Sequence, residues 1–330
     1  MKNIKRKIIA PILFKSRIPE ILALFSSNSN LILNYHGVVN KINTSISKNH
    51  LSIIDFEKQM EYFKKKFTIL PIEEIKKKKT KSKTIGITFD DGYLNNLTNA
   101  LPILESLNAP ATIFITAQMF SRPGIPLWYD LLDISFSKIG WQKLSSLLAR
   151  IGSEELNLND HTNYSSFKTA VKKSNADFKN LLVDQLMNMP DINLLLQSTD
   201  FEYWNLLNQI ELKKISESKL IEIGSHGLTH SNLDELNIKD LTNELNISKE
   251  LLSNACEKNI SSIAFPDGAY NEDVKNLCRE LGYKRMYAVN YRSDKDKSDK
   301  DIFPRLSISN TTTTTSILIQ TNLAFNSDGF

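Results

Sequence analysis

A chain of 330 residues is long enough for one large α/β domain with an insertion, or for two domains. It is 41% hydrophobic and 24% charged, ordinary for a globular protein, and its net charge of +4 is too mild to argue for nucleic acid. The two cysteines, Cys256 and Cys278, lack metal-ligand spacing and read as small buried hydrophobes of a reducing compartment.

At the start, Lys2, Lys5, Arg6 and Lys7 precede the apolar stretch Ile8 to Phe14, which Pro11 breaks and Lys15 and Arg17 end. That stretch is short for the apolar part of a signal peptide and far short of a membrane span. Residues 1–27 therefore read as a basic amphipathic lead-in to one domain over 28–330. The lead-in is either a helix packed on the domain or a membrane-surface contact. The expected location is the cytoplasm, with peripheral attachment to the inner face of the membrane open.

Leu31 to Tyr35 reads as a first buried strand, ending in His36 and Gly37. Asp55 is the expected N-cap of a helix running to Phe67. Thr68 to Leu70 reads as a short strand. The lysine-rich stretch 72–83 follows, with Lys76 to Lys79 solvated. Thr84 to Phe89 reads as a buried strand, followed at once by Asp90, Asp91 and Gly92. On their own these three residues read equally well as a turn. Leu94 to Leu107 is a helix that Pro102 kinks or starts, and Ala111 to Thr116 is a parallel strand.

From Ser121 to Lys219 no strand is evident, and the segment reads as a helical insertion. Its Trp128 and Tyr129 are core of that insertion or, as the second reading, sugar-stacking residues on a cleft wall. Alternation returns with a strand at Leu220 to Gly224, followed by His226 and His230. Then come a helix from Asp240 to Cys256, a strand over Ser262 to Phe265, a helix over Glu272 to Leu281 and a strand over Lys284 to Val289. A charged loop from Tyr291 to Asp301 precedes a last strand, Ile302 to Ile308. Residues 311–323 form a final helix or strand. Strands alternating with helices, without a Gly-rich phosphate loop, favour a barrel over a dinucleotide-binding sheet.

Asp90, Asp91, His226 and His230 all follow carboxyl ends of strands, which converge on one mouth in a barrel. Two imidazoles and one carboxylate make a three-ligand divalent site with positions open for water. The other carboxylate is then free to act as a base on that water. A bound metal lowers the water's pKa toward ~7 and polarises a carbonyl, so the chemistry to expect is hydrolysis of an amide or ester. His-x-x-x-His alone is a weak signal, but beside Asp-Asp-Gly at a strand end it is strong. A third strand end carries Pro266, Asp267 and Gly268. Pro266 and Gly268 shape a tight loop whose backbone N–H groups, Asp267's among them, can face a developing oxyanion, and the plain alternative is an ordinary loop.

TFDDG, SHGLTH and FPDG, in this order and spacing, resemble the motifs of the polysaccharide deacetylase family, the NodB-homology domain of carbohydrate esterase family 4. The resemblance covers roughly residues 30–120 and 220–310, on both sides of the insertion of about 121–219. It implies an irregular (β/α)7-type barrel that removes N-acetyl groups from N-acetylhexosamine residues of a polysaccharide or glycan precursor. It implies that Asp90 is the base. It also implies that Asp91, His226 and His230 hold a divalent metal, commonly Zn2+ and sometimes Co2+ or Ni2+. The substrate would be an N-acetylated glycan or a lipid- or nucleotide-linked sugar made during cell-surface polysaccharide biosynthesis.

Two departures stand out. Family members often have Arg-x-Pro-Tyr-Gly at the third motif, where this chain has Phe265-Pro266-Asp267-Gly268. In the family the oxyanion role belongs to the backbone N–H, so the change of Tyr to Asp need not abolish it, and Arg305 is the candidate to hold the base in place of the missing Arg. The family also usually carries a late histidine as general acid, yet none of histidines 36, 50, 161, 226 and 230 follows His230. His36, in a Tyr-His pair at the first strand's end, is similar to the acid of permuted family members with an N-terminal Tyr-His motif. A structural histidine capping the strand is the alternative. His50 and His161 stand among polar neighbours and read as surface residues.

Two further readings compete. One is a non-catalytic carbohydrate-binding relative of the same fold, which the altered third motif permits and the retained acids and histidines oppose. The other is an iron(II) oxygenase, which shares the two-histidine, one-carboxylate set but usually sits on an antiparallel barrel.

Overall fold

The computed structural model describes residues 30–44, 46–75, 82–149, 163–196, 201–311 and 313–325. The lead-in 1–27 and His161 lie outside them. The strands in chain order are β1 (Asn30–Tyr35), β2 (Gly37–Val39), β3 (His50–Ser52), β4 (Thr68–Ile69), β5 (Thr84–Phe89) and β6 (Ala111–Ile115). After the insertion come β7 (Ile221–Ser225), β8 (Ser262–Ala264), β9 (Arg285–Ala288), β10 (Ile302–Pro304) and β11 (Leu306–Ser307).

The main sheet is parallel, in the order β10-β9-β8-β7-β6-β5-β1-β11. Its two edges belong to one stretch of chain. β10 pairs with β9 through Ile302 and Met286, and β11 pairs with β1 through Leu306 and Leu33, with only Arg305 between the halves. The sheet thus wraps round into an irregular barrel of six whole strands and one split strand, the (β/α)7-type fold read from the sequence. The short β4 pairs with β5 below the point where β6 begins.

Because the side-chain period of a strand is two, each strand feeds two cores. Leu31, Leu33, Ile85, Ile87, Phe89, Ile113, Ile115 and Ile263 point outward, toward helices such as Ile53–Lys66 and Ile238–Cys256, which supply Phe56, Met60, Phe63, Leu245 and Leu252. Ile32, Phe114, Ala264, Tyr287 and Phe303 form a second cluster that fills the barrel, with Ile72 and Ile75 against it. Counting on by twos toward the carboxyl ends, the inward register runs from Ile32 to Asn34 and His36. It runs from Gly86 to Thr88 and Asp90, and from Gly224 to His226. On the split strand it passes from Phe303 to Arg305. One period therefore sets both the barrel's packing and the composition of its mouth.

The first helix is capped three residues earlier than expected. Ser52 Oγ accepts from Asp55 N at 3.0 Å, so Ser52 is the N-cap and Asp55 sits in the first turn. The C-terminal segment is helical over Thr314–Ala324. The pair β2–β3 was not foreseen from the sequence.

Within the expected insertion, helices Trp128–Leu148, Tyr164–Lys173, Ala176–Met187 and Pro190–Leu196 share a core of their own, including Trp128, Leu131, Phe167 and Leu182. The chain rejoins the barrel earlier than Lys219. Leu207, Leu212 and Ile215 belong to the main core, and Leu207 N donates to Gly92 O at 2.9 Å. Among the described residues no helix is long and apolar enough to cross a membrane.

Candidate metal centre and active site

Asp90 and Asp91 are neighbours in sequence and opposites in environment. Asp90 ends the inward register of β5, and its N–H donates to Tyr35 O at 2.9 Å, extending the ladder to β1. Arg305 grips its carboxylate with both arms: Nη1 to Oδ1 at 2.7 Å and Nη2 to Oδ2 at 2.8 Å. Asn34 Nδ2 adds a third donor to Oδ2 at 2.9 Å. The guanidinium is itself 1% exposed, donates to Asn34 Oδ1 and Thr88 Oγ1, and lies over the Phe114 ring. Burial alone would raise the Asp90 carboxyl, but Arg305, with His226 and His36 behind it, holds it well below the usual carboxylate range. Asp90 is therefore ionised throughout the neutral range and fixed in direction.

Asp91 turns the other way. It and Gly92 both have positive φ, 76° and 84°, a conformation Asp adopts more readily than most residues and Gly adopts freely. A Cβ on Gly92 would lie 2.9 Å from Ile115 Cδ1, so the third position of the motif needs glycine. Asp-Asp-Gly is thus a turn, one of the two readings its sequence allows. The turn delivers Asp91 into a site where both carboxylate oxygens are buried without a hydrogen bond. His226 Nε2 and His230 Nε2 each lie 3.5 Å from Asp91 Oδ1. His226 Nδ1 is 2.8 Å from Ala264 O, which can only accept, so Nδ1 donates there and Nε2 is the nitrogen turned toward Asp91. Burial pushes the His230 imidazole down to about 4, with Asp91 pulling it back up, so this ring is neutral near pH 7. One carboxylate without donors beside two imidazoles, all within 4.8 Å, is a donor set that fits a divalent cation.

The loop carrying the two histidines is held from outside. Glu244, buried on the helix Ile238–Cys256, accepts from Leu228 N at 2.6 Å, from Thr229 N at 3.0 Å and from the Thr229 hydroxyl. Within that loop Gly227 and His230 have positive φ. Sequence reasoning missed Glu244. Its signal would have been an acid on the buried face of an otherwise amphipathic helix.

The remaining expected residues fall at the same mouth. Pro266, Asp267 and Gly268 form a single tight turn after β8, with Asp267 at φ 57°. Asp267 points to the insertion, where its Oδ1 meets Lys172 Nζ at 2.7 Å. His36 follows β1 beside Asp90; its Nδ1 is buried without a hydrogen bond, and its backbone O accepts from Asn96 Nδ2 at 2.8 Å.

His50 corrects the surface reading given above. It is fully buried, its Nδ1 bonded to Ser47 Oγ at 2.9 Å and its ring packed against Tyr93 and Tyr203. Trp128 is core of the insertion, whereas Tyr129 stands at the site, its ring centroid 4.8 Å from that of His230.

A family model described as polysaccharide deacetylase matches residues 77–286. Nothing among the curated proteins matches. Among solved structures, a Streptococcus pyogenes deacetylase, PplD, in complex with acetate superposes with a TM-score of 0.54 at 16% identity, covering 87% of this chain and 96% of that one. A polysaccharide deacetylase from Bacillus cereus gives 0.54 at 19%, covering 89% and 69%. IcaB from Ammonifex degensii gives 0.54 at 12%, covering 92% and 99%. At such identities these structures speak for the fold. The family match spans well over half of the chain and includes Asp90, Asp91, His226 and His230, and on it the chain belongs to the polysaccharide deacetylase family.

Proposed function

We propose that this chain is a metal-dependent hydrolase that removes N-acetyl groups from N-acetylhexosamine residues of a polysaccharide or glycan precursor. The observation that carries the reading is the contrast between a buried carboxylate saturated by Arg305 and Asn34 and a neighbouring one left open beside two imidazoles. Asp91, His226 and His230 would hold the metal, for which Zn2+ suits two nitrogens and one oxygen. When bound, such an ion lowers the pKa of a water toward ~7 and polarises the acetyl carbonyl.

The chain's own residues supply the rest. Asp90, aimed by Arg305 and Asn34, accepts the proton of the attacking water. The turn Pro266–Gly268 offers the Asp267 backbone N–H to the developing oxyanion, since Pro266 has none and Gly268 N donates to Phe265 O at 2.9 Å. His36, beside Asp90 and outside the metal ligands, donates the proton that the leaving amine needs. A purely carbohydrate-binding role would leave the Asp90–Arg305 pair without a task.

The reading is tested by measuring acetate released from a panel of N-acetylated oligosaccharides and lipid-linked sugars, with zinc and with a chelator. The expected result is zinc-dependent release that the chelator stops. Zinc-loaded protein that releases no acetate from any member of the panel would sink it.

A further inference from the structure

The stretch Tyr291–Asp301 is rich in charge, yet its Asp296 is only 1% exposed. Asp296 Oδ1 accepts from Lys275 Nζ at 2.8 Å, and Lys275 is itself buried on the helix Glu272–Glu280. Three more donors converge on Oδ2: Tyr270 Oη at 2.8 Å, Ser293 N at 2.9 Å and Arg292 N at 3.0 Å. A buried ion pair whose remaining oxygen is also satisfied fixes the backbone around it. Arg292 therefore leaves this loop in a set direction, and what its side chain meets is the third motif.

Arg292 Nε donates to Gly268 O at 3.0 Å, and its guanidinium lies 5.6 Å from the centre of the Tyr270 ring. Tyr270 in turn stacks on Phe265 at 4.8 Å, so the two rings bracket the turn Pro266–Gly268. Nη1 reaches Asp234, in the short turn Leu233–Glu235 that follows His230. The third-motif turn needs such support. Asp267 and Gly268 both have positive φ, 57° and 64°, a conformation that is unfavourable for a residue with a Cβ. Lys172 draws the Asp267 side chain toward the insertion at 2.7 Å. Gly268 N and Ala269 N are bonded to Phe265 O and Pro266 O, both at 2.9 Å, so the turn moves as a unit. Whatever orients Gly268 O then also orients Asp267 N–H.

We propose that Arg292 is a positioning residue for the hydrolysis. It clamps Gly268 O and, through the turn, keeps Asp267 N–H facing the barrel mouth. The proposal deepens the proposed function and rests on it for the role of that N–H. The pair with Asp234 is partly exposed and contributes little by itself, so the bond to Gly268 O carries the effect.

Arg292→Met in the zinc-loaded full chain keeps an apolar stem over Tyr270 and removes the donors. A displaced oxyanion donor slows every substrate that forms a tetrahedral adduct. Turnover on an N-acetylated oligosaccharide and on an activated acetate ester should therefore fall together, ~10-fold or more, with KM and zinc content unchanged. Hydrogen exchange of the peptide 265–270 should quicken. In Arg292→Ala, added methylguanidinium supplies the missing N–H donor and should restore both turnover and slow exchange. Unchanged turnover on both substrates, a loss confined to the amide, or a loss of zinc would overturn the proposal. Wild-type protein that releases no acetate would fail the proposed function instead, and exchange at 265–270 would still decide whether Arg292 holds the turn.

Discussion

Two sides of one barrel mouth treat a buried acid in opposite ways. On the β1–β5 side, Asp90 receives donors from Arg305 and Asn34, and its charge is cancelled within the protein. On the β5–β7 side, Asp91 receives none and faces two imidazoles. On the proposed reading a cation completes the second side, whereas the first needs nothing more. The split strand explains how this is possible. Arg305 interrupts the strand between β10 and β11 at the point where the barrel closes, and its inward register carries it to Asp90.

The largest effect expected from breaking the first side is that of Arg305→Ala. It leaves the Asp90 charge buried and unpaired, a loss of ~3–5 kcal/mol of stability by denaturant titration. In an Asp90→Asn background the same change should cost much less, since no charge is stranded. Equal costs in the two backgrounds would mean that the ion pair is not what Arg305 contributes.

Next comes His36→Ala, which should keep the metal and lose ~10²-fold or more in turnover on acetamides. Activated acetate esters should be spared, because their leaving groups need no proton. Wild-type turnover on amides would remove His36 from the mechanism.

On the second side, Glu244→Gln should weaken zinc affinity ~10–100-fold, the usual scale for groups that orient ligands from behind. Glutamine keeps the volume but cannot accept from Leu228 N, Thr229 N and the Thr229 hydroxyl with a full charge. Unchanged zinc affinity would show that the loop holds its shape without Glu244.

The smallest effect concerns His50, which belongs to neither acid. Burial, with His36 adding to it, pushes its imidazole from 6.5 down to about 3. The unfolded chain therefore takes up a proton at His50 below about pH 6.5 that the folded chain refuses until about pH 3. Stability is unaffected above that window and falls as the pH drops through it. Between pH 7.5 and 6 the loss is below about 1 kcal/mol. His50→Gln should flatten this part of the stability profile, and an unchanged slope would assign it to other groups.

Much of this was legible in the sequence because it is local. Runs such as TIGITF and ATIFI are buried over their whole length, so parallel strands could be read from apolar runs, and the chemistry followed at their ends. What was not legible depends on distant pairing. His50 stands among Ser47, Lys48 and Asn49 in sequence, and only the fold brings Tyr93 and Tyr203 over its ring. Ser52 displaced Asp55 as the helix cap because β3 ends at Ser52, a strand that exists only through its pairing with β2. Arg305 could be placed at a strand end, but not as the break in a strand shared by both edges of the barrel.

The central claim is that adjacent acids have opposite tasks. The direct measurement is zinc content and acetate release of Asp90→Asn and Asp91→Asn, side by side. Asp90→Asn should fold, keep its zinc and lose most turnover, because the amide cannot take a proton. Asp91→Asn should lose zinc and activity together, because it removes one of three ligands. Zinc lost from Asp90→Asn, or retained in full by Asp91→Asn, would contradict the account.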